Sequence, residues 1–230
     1  MIWGGDGMIG QRIPVTVLSC RLIANVTESL AKELGLQPRH KAVGLISCDC
    51  DDATYIALDE ATKKADVDVV YARSLYAGAA NASTKLAGEV IGILAGPSPS
   101  EVTSGLHAAV DFLEGGIGFC TANEDGDVVY LAHCVSRTGS YLSQIAHVEQ
   151  GEAIAYLIAP PVEAMVGLDA ALKASDVDMT AFFAPPSETN FAGGLLTGTQ
   201  SACRAACDAF ARGVRQVAEH PKHYGGIAWN

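Results

Sequence analysis

Short apolar segments alternate with amphipathic segments along this chain, and their order predicts a mixed α/β (α+β) fold. In the stretch from Ser98 to Glu114, apolar residues recur at Val102, Leu106, Ala109 and Leu113. That 4-3-4 spacing is typical of a helix with one buried face. The apolar runs between such stretches are too short for helices and predict strands.

The same series of elements is predicted twice. In the first copy the strands are Val15–Ile23, Ala42–Ser47, Val67–Ala72 and Ala87–Leu94, and the helices are Glu28–Leu34, Asp52–Ala65 and Ser98–Glu114. In the second copy the strands are Val128–Val135, Ala153–Ile158, Val177–Phe183 and Gly194–Thr197, and the helices are Gly139–Ala146, Pro161–Ala174 and Gln200–Glu219. Hairpin-like sequential runs favour antiparallel pairing, so each copy is predicted to be a mainly antiparallel four-stranded sheet with helices packed on it.

A sequence repeat supports the duplication. The run Asp59–Asp68 returns 110 residues later as Asp169–Asp178, with six of ten positions identical. Such a match indicates that a whole structural unit was duplicated. The polar turn Glu124–Asp127 separates the copies, so we predict domains at 14–124 and 125–219, a divergent N-terminal segment at 1–13 and a divergent tail at 220–230.

Composition and charge restrict the function. Hydrophobic residues make up 49% of the 230 positions and charged residues 18%, which predicts that extra surface is buried against partners. The net charge of −11 argues against binding to nucleic acid or to an anionic membrane. The start of the chain lacks the features of a signal peptide, and an odd number of cysteines, seven, is typical of reduced thiols, so a cytoplasmic protein is predicted.

Several segments resemble a known family. Ala42–Ile46 and Ala57–Val70 resemble the opening of a bacterial microcompartment (BMC) shell domain, and Gly88–Gly96 resembles its second half. The strand-and-helix element 15–34, which ends the ordinary domain, comes first here, as in the circularly permuted tandem form. Further stretches are similar to shell proteins of ethanolamine- and ethanol-utilising compartments: Tyr71–Ala79, Val135–Ser143 and Pro185–Phe191.

The resemblance implies a structural protein of a cytoplasmic compartment. It implies a homotrimer in which six domains form a pseudohexagonal tile. It also implies that the tiles join other shell proteins in a hexagonal sheet, and that pores pass small metabolites. Together with the net charge, it leads us to expect no cofactor and neither nucleic acid nor a membrane as partner. The alternative from a different class is a soluble two-domain small-molecule binding or sensor protein that does not tile.

The two copies differ most in one loop, which has 19 positions from Asp68 to Ala87 but only 14 from Asp178 to Ala192. Unequal loops around one axis would reduce sixfold symmetry to threefold and could line a gated central pore, with Gly78, Gly193 and Gly194 as candidate hinges. The alternative is surface loops of fixed shape. The candidate pore residues are Ser74, Leu75, Tyr76, Ala77, Gly78, Asn81, Pro185, Ser187, Glu188, Thr189 and Asn190.

A second candidate site is acidic. The resemblance implies a small pore within each subunit, lined by carboxylates near Asp51, Asp52 and Glu89 and by an aromatic residue matching Phe119. A carboxylate there could hold a small amine through charge-assisted hydrogen bonds. The alternative is that Asp51 or Asp52 caps the helix that follows.

Neither a metal site nor a catalytic site is predicted. Cys48–Cys50, His133–Cys134 and Cys203–Cys207 lack the Cys-x-x-Cys spacing of zinc or iron–sulfur sites, and buried structural thiols explain them better. Gly-x-Ser-x-Gly and phosphate-loop motifs are both absent from the sequence.

Overall fold

The structure is a computed structural model that describes residues 9–75, 89–185, 187, 189–224 and 227–228. The chain divides into two compact units. The N-terminal unit contains residues 14–118 together with 138–144. The C-terminal unit contains the described residues of 9–13, 119–137 and 145–228.

The N-terminal unit is built on a four-stranded antiparallel sheet of order β1-β2-β4-β3. Its strands are β1 (Val17–Ile23), β2 (Ala42–Cys48), β3 (Asp68–Ser74) and β4 (Val90–Gly96). Its helices are α1 (Glu28–Glu33), α2 (Asp51–Lys64) and α3 (Pro99–Glu114).

The C-terminal unit repeats this plan with one added strand, in the order β5-β6-β7-β9-β8. The strands are β5 (Cys120–Thr121), β6 (Val129–Val135), β7 (Ala153–Ala159), β8 (Val177–Phe183) and β9 (Ala192–Gly198). Helices α5 (Pro161–Ala174) and α6 (Gln200–Glu219) follow the order of α2 and α3. Helix α4 (Ser140–Ala146) crosses the division, and β10 (His223–Tyr224) and β11 (Ile227–Ala228) form a separate two-stranded pair.

The predicted fold class is confirmed, since both sheets are antiparallel and helices accompany each of them. Most elements lie within three residues of their predicted bounds. The sequence pattern missed β5 and the β10–β11 pair, because each strand is two residues long and shows no alternation.

Close packing of helix on sheet explains where small residues occur. The face of α3 predicted to be apolar is buried at Val102, Leu106 and Leu113. Leu106 lies so close to β2 that a Cβ at Gly44 would meet its side chain at 2.8 Å. In the C-terminal unit a small residue serves packing between two helices instead, since a Cβ at Gly167 of α5 would meet Phe210 of α6 at 2.7 Å. None of the described helices is long and apolar enough to span a bilayer.

A buried carboxylate fastens the segment 138–144 to the N-terminal unit. The side chain of Asp59, on α2, is completely buried and accepts the backbone N–H groups of Gly139 at 2.7 Å and Leu142 at 2.8 Å. The Oγ1 of Thr62 accepts the N–H of Ser140 at 3.0 Å. A Cβ at Gly139 would lie 2.6 Å from the backbone oxygen of Asp59, so this approach requires glycine.

We expect Asp59→Ala to destabilise the protein by about 2–4 kcal/mol, because two backbone N–H groups lose a buried acceptor. The loss is measured as the change in the free energy of unfolding in urea. The matched control is Asp111→Ala on the exposed side of α3, which should change stability by less than about 0.5 kcal/mol. Equal effects of the two variants would contradict this role of Asp59.

Candidate functional site

Acidic side chains converge where three strands of the N-terminal sheet end. Asp49 follows β2, Asp51 and Asp52 open α2, and Glu89 precedes β4. Ser74, the last residue of β3, pairs with Val90 in the sheet register and so lies at the same edge. Antiparallel pairing therefore gathers residues that are up to 40 positions apart in the sequence.

Hydrogen bonds define the geometry of this acidic cluster. The Ser74 hydroxyl donates to Oδ2 of Asp51 at 2.7 Å, and the Leu75 N–H donates to the backbone oxygen of Glu89 at 2.7 Å. The Glu89 N–H donates to the backbone oxygen of Cys48 at 2.8 Å. Asp51 and Asp52 are each 8% exposed. The cluster is thus a hydrogen-bonded, largely buried set of oxygen acceptors beside a half-buried Glu89.

The electrostatics of the cluster favour a cation. Burial raises the pKa of Glu89 above its ordinary value, and the nearby charges of Asp51 and Asp49 raise it further. Carboxylates this close repel one another, so a positive charge placed among them would relieve the repulsion and lower that pKa. The arrangement can hold a small cationic group through charge-assisted hydrogen bonds.

The helix-capping explanation for the acidic pair is wrong. Cys50 is the N-cap of α2, and no side-chain hydrogen bond caps it among the described residues. Asp51 and Asp52 lie one step further on, in the first helical turn, and Oδ1 of Asp51 accepts the N–H of Asp52 at 2.8 Å. Both carboxylates stabilise the start of the helix, because its dipole favours negative charge there. Oδ2 of Asp51 accepts the hydrogen bond from Ser74.

Phe119 belongs to the C-terminal unit, where its ring stacks on Phe191 with centroids 5.4 Å apart. The backbone of Phe119 also accepts the N–H of Ile13, so the residues before β1 are tied to this unit. Sequence reasoning missed Phe191, because it stands alone after a polar loop and shows no periodic pattern.

The candidate pore residues fall into two groups. Tyr76, Ala77, Gly78, Asn81 and Glu188 lie outside the described residues. Of the described ones, Ser74 ends β3 beside the acidic cluster and Leu75 follows it, whereas Pro185 and Asn190 are exposed. Ser187 and Thr189 form a tight turn in which the Ser187 N–H donates to the backbone oxygen of Phe191 at 3.1 Å.

The candidate hinges Gly193 and Gly194 lie inside strand β9, paired on both sides. A Cβ at Gly193 would come within 1.9 Å of the backbone oxygen of Leu157. These glycines therefore serve close strand packing rather than loop movement. Gly78 lies outside the described residues.

Three of the seven cysteines, Cys48, Cys203 and Cys207, are buried thiols, and the other four are partly exposed. All seven are free, and burial raises the pKa of Cys48 and of Cys203 to about 11. Burial likewise raises the pKa of Cys207. Thiols of this kind remain protonated and unreactive at neutral pH. In the part of the chain that the structure describes, His, Cys, Asp and Glu side chains form no group of three that could hold a metal ion.

Comparison with known proteins identifies the class to which this duplicated fold belongs. The BMC domain family matches residues 42–123. The bacterial microcompartment shell protein EutL of Clostridium perfringens is 69% identical over 214 residues, which cover 93% of this chain and 99% of that protein. The chain belongs to the bacterial microcompartment shell proteins.

Solved structures of other shell proteins have the same fold as this chain. The ethanolamine utilization protein EutL from Leptotrichia buccalis superposes with a TM-score of 0.92 at 63% identity, covering 94% of this chain and 100% of that one. EtuB from Clostridium kluyveri superposes with a TM-score of 0.74 at 20% identity, covering 87% of each chain. The second similarity extends to the fold alone. Within the family, the chain is therefore most informatively compared with EutL.

The raised pKa of Glu89 predicts a specific pH dependence of stability. Between its ordinary pKa and the raised value, the folded protein holds a proton that the unfolded chain releases, so the free energy of unfolding falls as pH rises through this window. Glu89→Gln should remove that decline. Urea unfolding between pH 4 and pH 8 measures it, with exposed Glu114→Gln as the control. A decline in Glu89→Gln as steep as in the wild type would contradict the assignment.

Proposed function

We propose that this protein is a structural tile in the shell of an ethanolamine-utilising microcompartment inside the cytoplasm. The observation that carries the proposal is the tandem duplication of one sheet, β1-β2-β4-β3 and β6-β7-β9-β8, in a chain closely similar to EutL shell proteins. A repeated domain offers the same surfaces twice, which suits assembly rather than catalysis. Ethanol utilisation has weaker support, since the similarity to EtuB extends to the fold alone.

The tile is a homotrimer with six similar domains, joined edge to edge with other shell proteins in a hexagonal sheet. Two domains per chain and a head-to-tail contact produce a ring when the rotation per domain is suitable. The unequal loops at 74–86 and 185–190 then surround the centre with threefold symmetry and line a pore for small metabolites.

The acidic cluster gives the shell protein a preference for binding small amines. Ethanolamine carries a compact ammonium group with three N–H donors, which matches the oxygen acceptors of Asp51 and Glu89. The raised pKa of Glu89 supports this assignment: burial raises it most, the charges of Asp51 and Asp49 raise it further, and an ammonium group would offset that repulsion.

A second candidate function is a two-domain small-molecule sensor that does not tile. The buried acidic cluster favours it, since a sensor would need such a group of acceptors for its ligand and no assembly surface.

Assembly distinguishes the two functions. We expect the purified protein to sediment as a trimer and to form hexagonal sheets in electron micrographs at higher concentration. In the proposed ring each chain contacts both of its neighbours. We therefore expect the trimer to persist upon dilution to micromolar concentration. A monomer at every concentration, with unimpaired amine binding, would favour the sensor and overturn the shell assignment.

Calorimetric titration with ethanolammonium tests the amine site. We expect Glu89→Gln and Asp51→Asn each to weaken binding by about tenfold or more, because each removes a charged acceptor. Glu114→Gln, which removes an exposed charge on α3, should bind as the wild type does. Equal affinities in all four proteins would remove the acidic cluster from the function and leave the structural role intact.

A further inference from the structure

The acidic cluster at the edge of the N-terminal sheet includes a hydroxyl group that is bonded to a carboxylate. Ser74 is the last residue of β3, and its Oγ donates to Oδ2 of Asp51 at 2.7 Å. The backbone N–H of Asp52 donates to the other oxygen of Asp51, Oδ1, at 2.8 Å. One of these bonds comes from the helix of Asp51 itself and the other from a strand 23 positions further along the chain.

The two hydrogen bonds orient the carboxylate of Asp51 without using up its capacity as an acceptor. An ionised carboxylate offers about four lone-pair positions, and the bonds from Ser74 and Asp52 occupy two of them. Asp51 is 8% exposed, so little solvent competes for the others. The two bonds set the directions of the lone pairs that stay available to a ligand.

Glu89, the other carboxylate of the proposed amine site, is held in a different way. Its backbone N–H donates to the backbone oxygen of Cys48 at 2.8 Å, and its backbone oxygen accepts the N–H of Leu75 at 2.7 Å. These bonds place the residue at the edge of the sheet but do not fix the direction of its half-buried side chain. Glu89 therefore contributes charge, whereas Asp51 contributes charge together with a fixed direction.

The second repeat has the same sheet edge without the hydroxyl and without the carboxylates. Helices α2 and α5 and strands β3 and β8 correspond at an offset of 110, and β4 and β9 correspond from their first residues. The three equivalent positions are all apolar: Pro161 for Asp51, Ala184 for Ser74 and Phe191 for Glu89. The fold therefore does not require a hydroxyl at this position, and the hydroxyl occurs only in the repeat that has the carboxylates.

An oriented acceptor and a freely turning charge favour different ligands. A hydrogen bond weakens steeply when donor and acceptor are misaligned, whereas the attraction between two charges depends on their distance. A carboxylate held in one orientation therefore favours cations with N–H donors. A carboxylate that is free to turn attracts any cation of the same charge. Selectivity between such cations thus depends on the group that orients the carboxylate.

We propose that Ser74 is a positioning residue that makes the acidic cluster select protonated primary amines over quaternary ammonium ions of the same charge. It acts through Asp51, whose oriented carboxylate accepts an N–H group that a quaternary ion lacks. The inference rests on the proposed amine site and specifies the class of ligand that this site prefers.

Calorimetric titration with ethanolammonium and its N-methylated forms tests this selectivity. N-methylethanolammonium, N,N-dimethylethanolammonium and choline have the same charge and hydroxyl group but lose their N–H donors one by one. We expect the wild type to bind ethanolammonium about tenfold or more tightly than choline, and Ser74→Ala to lower that ratio by about fivefold. Ser74→Thr, which keeps the hydroxyl, should restore the ratio. Ser100→Ala, at the exposed start of α3, is the matched control and should leave it unchanged.

The outcomes distinguish this inference from the amine site itself. If the size of the ligand alone decided binding, the wild type and Ser74→Ala would show the same ratio, and the inference would be overturned while amine binding stands. A wild type that binds none of these cations would instead overturn the amine site of the proposed function. Circular dichroism should show wild-type folding of Ser74→Ala, because the second repeat folds with alanine at this position.

A second titration tests whether Ser74 acts through Asp51. In the Asp51→Asn background, Ser74→Ala should change the affinity for ethanolammonium by less than about twofold, because the charged acceptor that the hydroxyl orients is already absent. With Asp51 present, the same substitution should weaken binding by about fivefold. Equal losses in the two backgrounds would indicate that Ser74 contacts the ligand directly and would contradict its positioning role.

Discussion

The structure depends on one buried carboxylate. Asp59 lies on α2 with no exposure to solvent and accepts backbone N–H groups from a segment 80 residues further along the chain. A buried charge is tolerated when it is well hydrogen-bonded, and here the bonds fix both the position of the segment and the requirement for glycine at 139. The permuted order of elements makes this possible. The strand-and-helix element comes first in each repeat, so residues 138–144 of the second repeat follow the first repeat in the chain and become part of its unit.

Much of the fold could be predicted from the sequence because its signals are local. The apolar stripe on α3 predicts that helix, and the repeat at Asp59 and Asp169 predicts the duplication. The assignment of residues 138–144 to the N-terminal unit could not be predicted in this way. It depends on a contact between distant parts of the chain, and the repeated aspartate itself gives no indication of which copy is buried.

The candidate site was predicted in part for a similar reason. Asp51 and Glu89 were identified through a family resemblance. Antiparallel pairing brings Ser74, which sequence reasoning had placed in a pore loop, to the same edge of the sheet. Asp49 was missed, since an acidic residue after a strand is common on protein surfaces. The pKa of Glu89 is raised by burial and, to a lesser degree, by the charges of Asp51 and Asp49, and both causes arise only when distant parts of the chain meet at this edge of the sheet.

The passage of residues 138–144 into the N-terminal unit makes the two repeats inseparable. A cut in the turn at 124–127 would separate the first fragment from residues 138–144, which cover Asp59. The first fragment would then lack part of its own compact unit. A fragment could recover that cover by borrowing it from a neighbouring fragment. Because Asp59 and residues 138–144 belong to one chain, the strength of this contact does not fall as the protein is diluted.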